Sequence, residues 1–176
     1  MSVTLRPAES ADLLPVGALH QRSRVAAYSS FLPAEALADP TPEAMGEYWV
    51  QRWTWERVDH LMTVAERNGT LAGFSYFGPD DAGDPATGLL NAIHLEPSER
   101  GRGVGRALMV DALTNMRARG WRHAVLWVLR DNTPARHFYE RGGWRPTGQQ
   151  RDEMIGQALT PQLRYTRPLQ PPTPPR

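Results

Sequence analysis

The residues best suited to bind an anion lie in one short segment, Arg100 to Arg106, which reads RGRGVGR. An apolar run typical of a buried strand, residues 89–95, precedes it, and a helical pattern begins at Val104. Glycines allow backbone N–H groups to come close to an anion, and the first N–H groups of a helix have no internal acceptor. The helix dipole favours negative charge there, and arginine side chains suit phosphate oxygens. The segment therefore predicts a phosphate-binding loop.

Two common phosphate-binding motifs do not fit this loop. The dinucleotide fingerprint G-x-G-x-x-G fails because Arg106 stands where the third glycine is needed. The P-loop motif fails because it ends in Gly-Lys-Ser or Gly-Lys-Thr, and neither is present. A plain glycine turn before a helix stays open as the alternative at this point.

A second segment lies downstream, Asn132 to Trp144, and reads NTPARHFYERGGW. Together the two segments resemble the GNAT superfamily of N-acyltransferases. The loop of that family is Arg or Gln, two residues, Gly, any residue, then Gly or Ala, which Arg100, Gly103 and Gly105 match. Its downstream pattern, Asn-x-x-Ala-x-x-Phe-Tyr-x-x-x-Gly-Phe, is matched except that tryptophan replaces the final Phe. The resemblance covers residues 89–144.

The resemblance implies that acetyl-CoA is the co-substrate and that its pyrophosphate lies on the backbone of the loop. It also implies that the pantetheine arm pairs with the exposed backbone of the preceding strand, like an added strand, and bonds to Asn132. By itself, Asn132 is equally an ordinary helix cap. The residues expected to bind the cofactor are Ile93, Leu95, Arg100, Gly101, Arg102, Gly103, Val104, Gly105, Arg106 and Asn132.

Acyl transfer from a thioester needs an acid for the departing thiolate and a base for the acceptor amine. The resemblance implies Tyr139 as the acid, although it also reads as half of a packed aromatic pair. Glu96 and His94 are the candidates for the base, in that order, because both lie at the end of the strand before the loop. A base that acts through water leaves no mark in a sequence. The remoter candidates are Asp131 and Glu140.

The predicted elements follow the order β-α-α-β-β-β-α-β-α-β-β, which indicates an α/β fold. The strand before the loop, the helix from Val104 and the strand at 124–129 form a crossover unit, so these two strands should be parallel. Asn68-Gly69 predicts a two-residue hairpin, and residues 34–38 a short turn. The last two strands are expected near 144–152 and 162–167. The resemblance implies a GNAT-like mixed central sheet of about seven strands with four helices.

The length of 176 residues, with 40% hydrophobic and 22% charged residues, predicts one domain over 1–169. Residues 170–176 are mostly proline and are expected to form a disordered tail.

The net charge of +1 argues against a dedicated nucleic-acid binder, and no apolar run is long enough to cross a membrane. With no cysteine and no paired histidines, we expect no metal. The cytoplasm is the default location. A homodimer stays open, because three tryptophans within 49–55 cannot all face one side of a helix.

We therefore predict an N-acetyltransferase that moves the acetyl group of acetyl-CoA to a primary amine by direct attack. No cysteine is available to carry the acyl group in between. Two alternatives stay open: transfer of a longer acyl group, and a catalytically silent CoA-binding sensor or interaction module. The acceptor is expected to be a small molecule or a peptide, and a polyamine, an antibiotic, an amino acid and a protein N-terminus all fit the sequence.

Overall fold

Seven strands form one mixed sheet in the order β1-β2-β3-β4-β5-β7-β6 in the computed structural model, which describes residues 2–169. The predicted tail, 170–176, lies outside the described residues. All the neighbouring strands are antiparallel except β4 and β5, which are parallel as the crossover rule predicts. The strands are β1 (Thr4–Pro7), β2 (Leu61–Arg67), β3 (Thr70–Pro79), β4 (Thr87–Leu95), β5 (His123–Leu129), β6 (Arg145–Ile155) and β7 (Ala158–Pro168).

Five α-helices accompany the sheet within residues 2–169, one more than the four predicted. The additional one is the single turn α2 (Ala34–Leu37), which coincides with the short turn predicted at 34–38. Short 3₁₀ turns, Ser10–Asp12 and Pro97–Glu99, precede α1 and the loop at 100–106. The other helices are α1 (Leu13–Tyr28), α3 (Pro42–Glu56), α4 (Val104–Ala118) and α5 (Thr133–Arg141).

The hairpin between β2 and β3 turns at the predicted Asn68-Gly69 pair. Both residues have positive φ angles, 54° and 74°, as a twisted two-residue hairpin requires. The last hairpin differs from its prediction, because β6 and β7 both extend to the turn at 156–157. Strand β6 is exposed along almost its whole length and is rich in polar residues, so no alternation of apolar and polar residues marks its extent.

The sheet carries helices on both faces. On one face, α1 and α3 pack on β2, β3 and β4, with Trp49 of α3 1% exposed between Phe74 and Tyr76. On the other face, α4 and α5 pack on β4 and β5 through Met109, Ala112 and Phe138, among others. Strand β4 therefore has α1 on one side and α4 on the other, and it leads through the loop at 100–106 into α4.

A glycine pair brings α1 and α3 into close contact. A β-carbon on Gly17 would overlap the backbone nitrogen of Gly46, so neither helix can move aside without shifting its main chain. We expect Gly17→Ala to lower the free energy of unfolding by ~2 kcal/mol. Because the overlap is with main chain, the cost of overpacking should lie near the upper end of its usual range, about 3 kcal/mol, against a gain in helix propensity of about 1 kcal/mol. Urea denaturation measures the change.

Gly46→Ala is the matched control for Gly17→Ala. Its added β-carbon would meet the flexible end of Leu14 at 3.0 Å and the main chain of Leu14 at 3.2 Å, whereas a β-carbon on Gly17 would meet main chain at 2.2 Å. We expect a smaller loss of stability than for Gly17→Ala. Equal stability of the Gly17→Ala variant and the wild type would contradict the close backbone contact.

Candidate active site

Strands β4 and β5 pair over only the first part of their length. The last residue pair is Leu90 with Leu126, after which β4 continues to Leu95 and β5 to Leu129. Each strand keeps its outer partner, since β4 stays paired with β3 and β5 with β7. A gap therefore opens inside the sheet, and both of its edges are strand backbones.

The backbone groups of Ile93 and Leu95 point into this gap. The N–H of Glu96 donates to the carbonyl of Ala72 in β3, at 2.9 Å. Because the N–H and C=O groups of successive residues point to opposite edges of a strand, those of His94 and Glu96 face β3, and those of Ile93 and Leu95 face the gap. This is the exposed strand edge predicted for the pantetheine arm.

A β-bulge lies where the gap begins. Tyr76 pairs with Ala92 and Phe77 with Leu90, so Asn91 is an extra residue in β4. A bulge bends its strand and increases the local twist, which accounts for β4 leaving β5 at this point. The side chain of Asn91 reaches toward α3, where its oxygen accepts from the guanidinium of Arg52 at 3.1 Å once its amide is oriented to its neighbours. No sequence signal marked Asn91.

The loop at 100–106 has the geometry of an anion site. Gly101 and Gly103 have φ angles of 72° and 87°, and a β-carbon on either would meet no atom within 4 Å. Gly103 caps α4, whose first helical bond runs from the N–H of Ala107 to its carbonyl, at 3.0 Å. The N–H groups of Val104, Gly105 and Arg106 come before that bond and have no acceptor inside the helix. They are the donors that the sequence predicts for a pyrophosphate.

The three arginines of the loop are not equivalent. Arg102 is bound by Glu99, at 3.0 Å, and does not line the cleft beside the loop. Arg100 and Arg106 do line it. Arg100 also donates to the backbone carbonyl of Ser23 in α1, at 3.2 Å. The loop is therefore tied to the helix on the opposite side of the cleft.

One cleft of about 1010 Å³ joins the loop, the gap and the space under α1 and α3. Among the predicted site residues, Glu96, Arg102 and Val104 do not line it, although Val104 contributes a backbone donor. The predicted residues that do line it are Ile93, His94, Leu95, Arg100, Gly101, Gly103, Gly105, Arg106, Asn132 and Tyr139. The structure adds residues that motif reasoning did not assign to a site: Tyr28, Arg52, Asn91, Arg151 and Glu153.

Tyr139 and Asn132 enter the cleft from the two ends of α5. Asn132 caps the helix, and its Oδ1 accepts from the N–H of Ala135 at 3.4 Å, so the helix-cap interpretation holds. The side chain of Tyr139 packs edge-on against Phe138. Burial, with a smaller contribution from Tyr28, raises the pKa of Tyr139 above its ordinary value. Its phenol is therefore protonated at neutral pH and has a proton to give.

Glu96 points away from the cleft and is bound by Arg22 of α1. The guanidinium holds both carboxylate oxygens, with Nη2 to Oε2 at 2.8 Å and Nε to Oε1 at 3.0 Å. A carboxylate held at both oxygens by a guanidinium is already occupied by its partner. The sequence ranks Glu96 ahead of His94 as a base, and of these two residues His94 alone lines the cleft. Asp131 and Glu140 do not line the cleft either.

His94 lies in the cleft and forms a pair with His20 of α1. The ring centroids are 4.1 Å apart, and Nδ1 of His94 is 3.1 Å from Oγ of Ser23. The indole N–H of Trp49 donates to Nδ1 of His20 at 3.0 Å. Burial and the nearby Arg100 lower the pKa of His94 to about 4. The imidazole is therefore neutral near pH 7 and is able to accept a proton.

We expect Glu96→Gln to keep kcat within ~3-fold of wild type, because the ion pair with Arg22 already occupies its carboxylate. Loss of a general base would lower kcat by about 10²–10⁴-fold, so the measurement clearly distinguishes a base from a residue that takes no part in the reaction. The ion pair is partly exposed and is worth about 0–1 kcal/mol, so the variant should stay folded. Steady-state kinetics with an amine acceptor make the measurement. A fall of 10²-fold or more would restore Glu96 as the base.

No group of three or more His, Cys, Asp or Glu side chains within residues 2–169 is arranged to hold a metal ion. None of the helices in this part of the chain has the length and apolar character needed to span a bilayer.

The sequence of the chain matches a known family. Residues 28–144 match the Acetyltransferase (GNAT) family, and this range is more than half of the chain. The chain belongs to the GNAT family of acetyltransferases. Membership confirms the resemblance found in the two sequence motifs, both of which end within the matched range.

Curated relatives share only part of their length with this GNAT chain. The mycothiol acetyltransferase of Thermobispora bispora is 37% identical over 84 residues, which are 46% of this chain and 28% of that protein. The chain therefore spans less than a third of the length of this relative. The likeness concerns one region and does not extend to the whole relative.

Solved structures match the GNAT chain along nearly all of its length. The PaiA N-acetyltransferase of Thermoplasma acidophilum, determined in complex with coenzyme A, has a TM-score of 0.79 at 19% identity and covers 96% of this chain and 99% of its own. Nourseothricin acetyltransferase has a TM-score of 0.70 at 25% identity and covers 97% of this chain and 100% of its own. These matches confirm the predicted α/β fold with its mixed seven-stranded sheet.

Proposed function

We propose that the protein transfers the acetyl group of acetyl-CoA to a primary amine by direct attack. The observation that carries the proposal is the gap between β4 and β5, which opens beside the free backbone edge of Ile93 and Leu95. The anion-binding loop and Tyr139 line the same cleft as this edge. Phosphate donors, a strand edge and a buried phenol in one cleft are what an extended thioester cofactor requires.

The residues present fit acetyl-CoA. Its pyrophosphate would lie on the N–H groups of Gly103, Val104, Gly105 and Arg106, with Arg100 and Arg106 as the side-chain donors. Its amide-containing arm would pair with the backbone of Ile93 and Leu95. Asn132 would bond that arm through the amide nitrogen, since the cap of α5 uses only Oδ1. When bound, acetyl-CoA supplies the activated acetyl group.

The chain's own residues then carry the proton transfers. The Tyr139 phenol is protonated at neutral pH and would donate its proton to the sulfur that departs. A backbone N–H of β4 that faces the gap is positioned to stabilise negative charge on the carbonyl oxygen. No cysteine is present to form an acyl-enzyme, so the acceptor nitrogen must attack the thioester itself.

The acceptor would enter under α1 and α3. Tyr48 and Arg52 of α3 line that end of the cleft, and Arg151 and Glu153 of β6 line it as well. Arg151 lies over the ring of Trp127, with its Cζ 4.3 Å from the ring centroid. Aromatic faces and charges of both signs support a polar amine acceptor, either a small molecule or a peptide terminus.

We further infer the domain organisation, the location and the oligomeric state of the protein. One sheet runs through all the described residues, which supports a single domain over 1–169. We place the protein in the cytoplasm. Trp55 is 82% exposed at the end of α3 and supports a homodimer, which analytical ultracentrifugation would test.

Release of free thiol from acetyl-CoA in the presence of amines tests the function. The panel should include a polyamine, an aminoglycoside, free amino acids and a peptide with a free N-terminus. We expect release with at least one amine and none without an acceptor. Binding of CoA with no release across the panel would instead favour a silent sensor, and faster release from a longer acyl-CoA would favour the other alternative.

A further inference from the structure

The two histidines of the cleft come from distant parts of the chain. His94 is on β4 beside the free edge of Ile93 and Leu95, and His20 is on α1. Their rings are tilted by 37° with centroids 4.1 Å apart, so the two rings contact each other directly. Ser23 is three residues after His20, on the same helix face, and contacts His94 from there.

Each imidazole has one nitrogen bound by a neighbour. Trp49 has only a donor to offer, so Nδ1 of His20 must be the acceptor, and the proton of the neutral ring is on Nε2. Nδ1 of His94 is bound to Ser23, which leaves Nε2 of His94 for the cleft. The aromatic rings of Phe74 and Trp49 enclose the pair. The His94 ring therefore has one orientation and one free nitrogen.

We propose that Nε2 of His94 accepts the proton of the acceptor amine, and that His20 is the positioning residue that holds the His94 ring for this step. The assignment rests on the acetyl transfer proposed above. It gives His94 the tautomer in which Nδ1–H donates to Ser23, so that Nε2 keeps its lone pair.

The proton balance of the step is complete. The acceptor nitrogen forms its bond to the thioester carbon, and the carbon–sulfur bond breaks. The proton leaves the nitrogen for Nε2 of His94, and Tyr139 gives its proton to the sulfur. Solvent then takes the proton from His94 and returns one to Tyr139, so that amine and thioester become amide and thiol.

The charges around His94 and His20 should allow the two imidazoles to share no more than one added proton. The charged and titratable groups around the His94 ring are His20 and Arg24 of α1 and Arg100 of the loop, while β3 contributes Phe74. Two imidazolium rings with centroids 4.1 Å apart would repel each other, so the pair should take up a single proton. The neutral ring of His20 can then lie against the charged ring of His94, a favourable contact.

Arg100 connects this pair to the cofactor loop. Its guanidinium binds the carbonyl of Ser23, the residue whose hydroxyl contacts His94. Its positive charge opposes protonation of His94. A pyrophosphate bound at the loop would offset this charge, so His94 becomes more basic when the cofactor is present. Proton acceptance by His94 is then easier in the loaded enzyme.

The closing experiment compares wild type, His94→Gln, His20→Phe and the control His123→Gln, which changes an exposed histidine outside the cleft. The probes are acetyl-CoA and the most active amine of the panel. We expect His94→Gln to lower kcat by ~10²-fold or more, with the KM for acetyl-CoA within twofold of wild type. His20→Phe should lower kcat by about 10-fold, because removal of a residue that orients a functional imidazole typically lowers activity by that factor. It should also move the acidic limb of the pH profile, which a purely structural role would not do. His123→Gln should match wild type.

A measurement independent of turnover accompanies the kinetics. NMR titration of the histidine rings in the wild-type protein should show His94 protonating well below the ordinary value for histidine, and shifting to higher pH when CoA is added. An unchanged titration with CoA would overturn the link through Arg100.

The outcomes separate this proposal from the proposed function. A wild type that acetylates no amine would reject the acetyltransferase function, and this inference with it. An active wild type whose kcat survives in His94→Gln would reject the inference alone. A slower His20→Phe with an unchanged pH profile would reduce His20 to a packing residue.

Discussion

The Tyr139→Phe protein is expected to bind acetyl-CoA as tightly as wild type and to turn over ~10²-fold more slowly, or slower still, if protonation of the sulfur limits the rate. The phenol is protonated at neutral pH, and burial raises its pKa further above that pH. Phenylalanine keeps the ring and its contacts with Phe138 and Trp144. The variant therefore removes one proton donor and little else. Isothermal calorimetry with acetyl-CoA and steady-state kinetics measure the two quantities.

Tyr165→Phe is the matched control for Tyr139→Phe. Tyr165 belongs to the same aromatic group, but its hydroxyl donates to Glu140 at 2.8 Å and does not line the cleft. Its loss should lower stability and leave kcat within about twofold. If Tyr139→Phe is fully active, or if both variants lose activity equally, the tyrosine serves packing rather than proton donation.

Gly103→Asp is expected to abolish the stabilisation of the fold by acetyl-CoA. At a hundredfold excess over its Kd, a ligand that binds only the native state stabilises it by about 2.7 kcal/mol. Gly103 caps α4 beside the free N–H groups, and a β-carbon there would meet no protein atom. The aspartate side chain therefore has room in the ligand-free protein, at the cost of some backbone strain at a φ of 87°, and it places its negative charge where the pyrophosphate would bind. Chemical denaturation with and without acetyl-CoA gives the difference.

Gly103→Asn separates charge from shape. Asparagine has nearly the same size as aspartate and shares its tolerance of the left-handed φ of 87° at this position. We expect the asparagine variant to keep a measurable part of the stabilisation that the aspartate variant loses. An undiminished shift in Gly103→Asp would mean that acetyl-CoA binds elsewhere.

The parts of the site that local sequence determines were predictable. The glycines between a strand and a helix predict the loop at 100–106. Asn132 at the cap and Gly142 at the end predict the bounds of α5. The hairpin at Asn68-Gly69 depends on two residues alone. In each case the backbone conformation is set by neighbours in the chain, so the residue types carry the information.

The parts that depend on distant pairing were not predictable. Ser23 meets His94 across 71 residues, and Arg22 meets Glu96 across 74, so their partners follow only from the position of α1 over β4. The ion pair with Arg22, which bears on Glu96 as a candidate base, is therefore not visible in the sequence. Glu153 reaches the cleft because the polar strand β6 is longer than its pattern indicates. Neither α1 nor β6 carries a motif that reveals these contacts.

The early separation of β4 from β5 divides the sheet into two halves. One half contains β1 to β4 and the other contains β5 to β7, and within residues 2–169 their strands share four residue pairs, from Thr87–His123 to Leu90–Leu126. Beyond that short seam the facing edges of β4 and β5 are not paired with each other, and under the proposed function a chain-like co-substrate seated between them would supply the missing rungs. On that proposal the co-substrate would act as a temporary strand of the sheet.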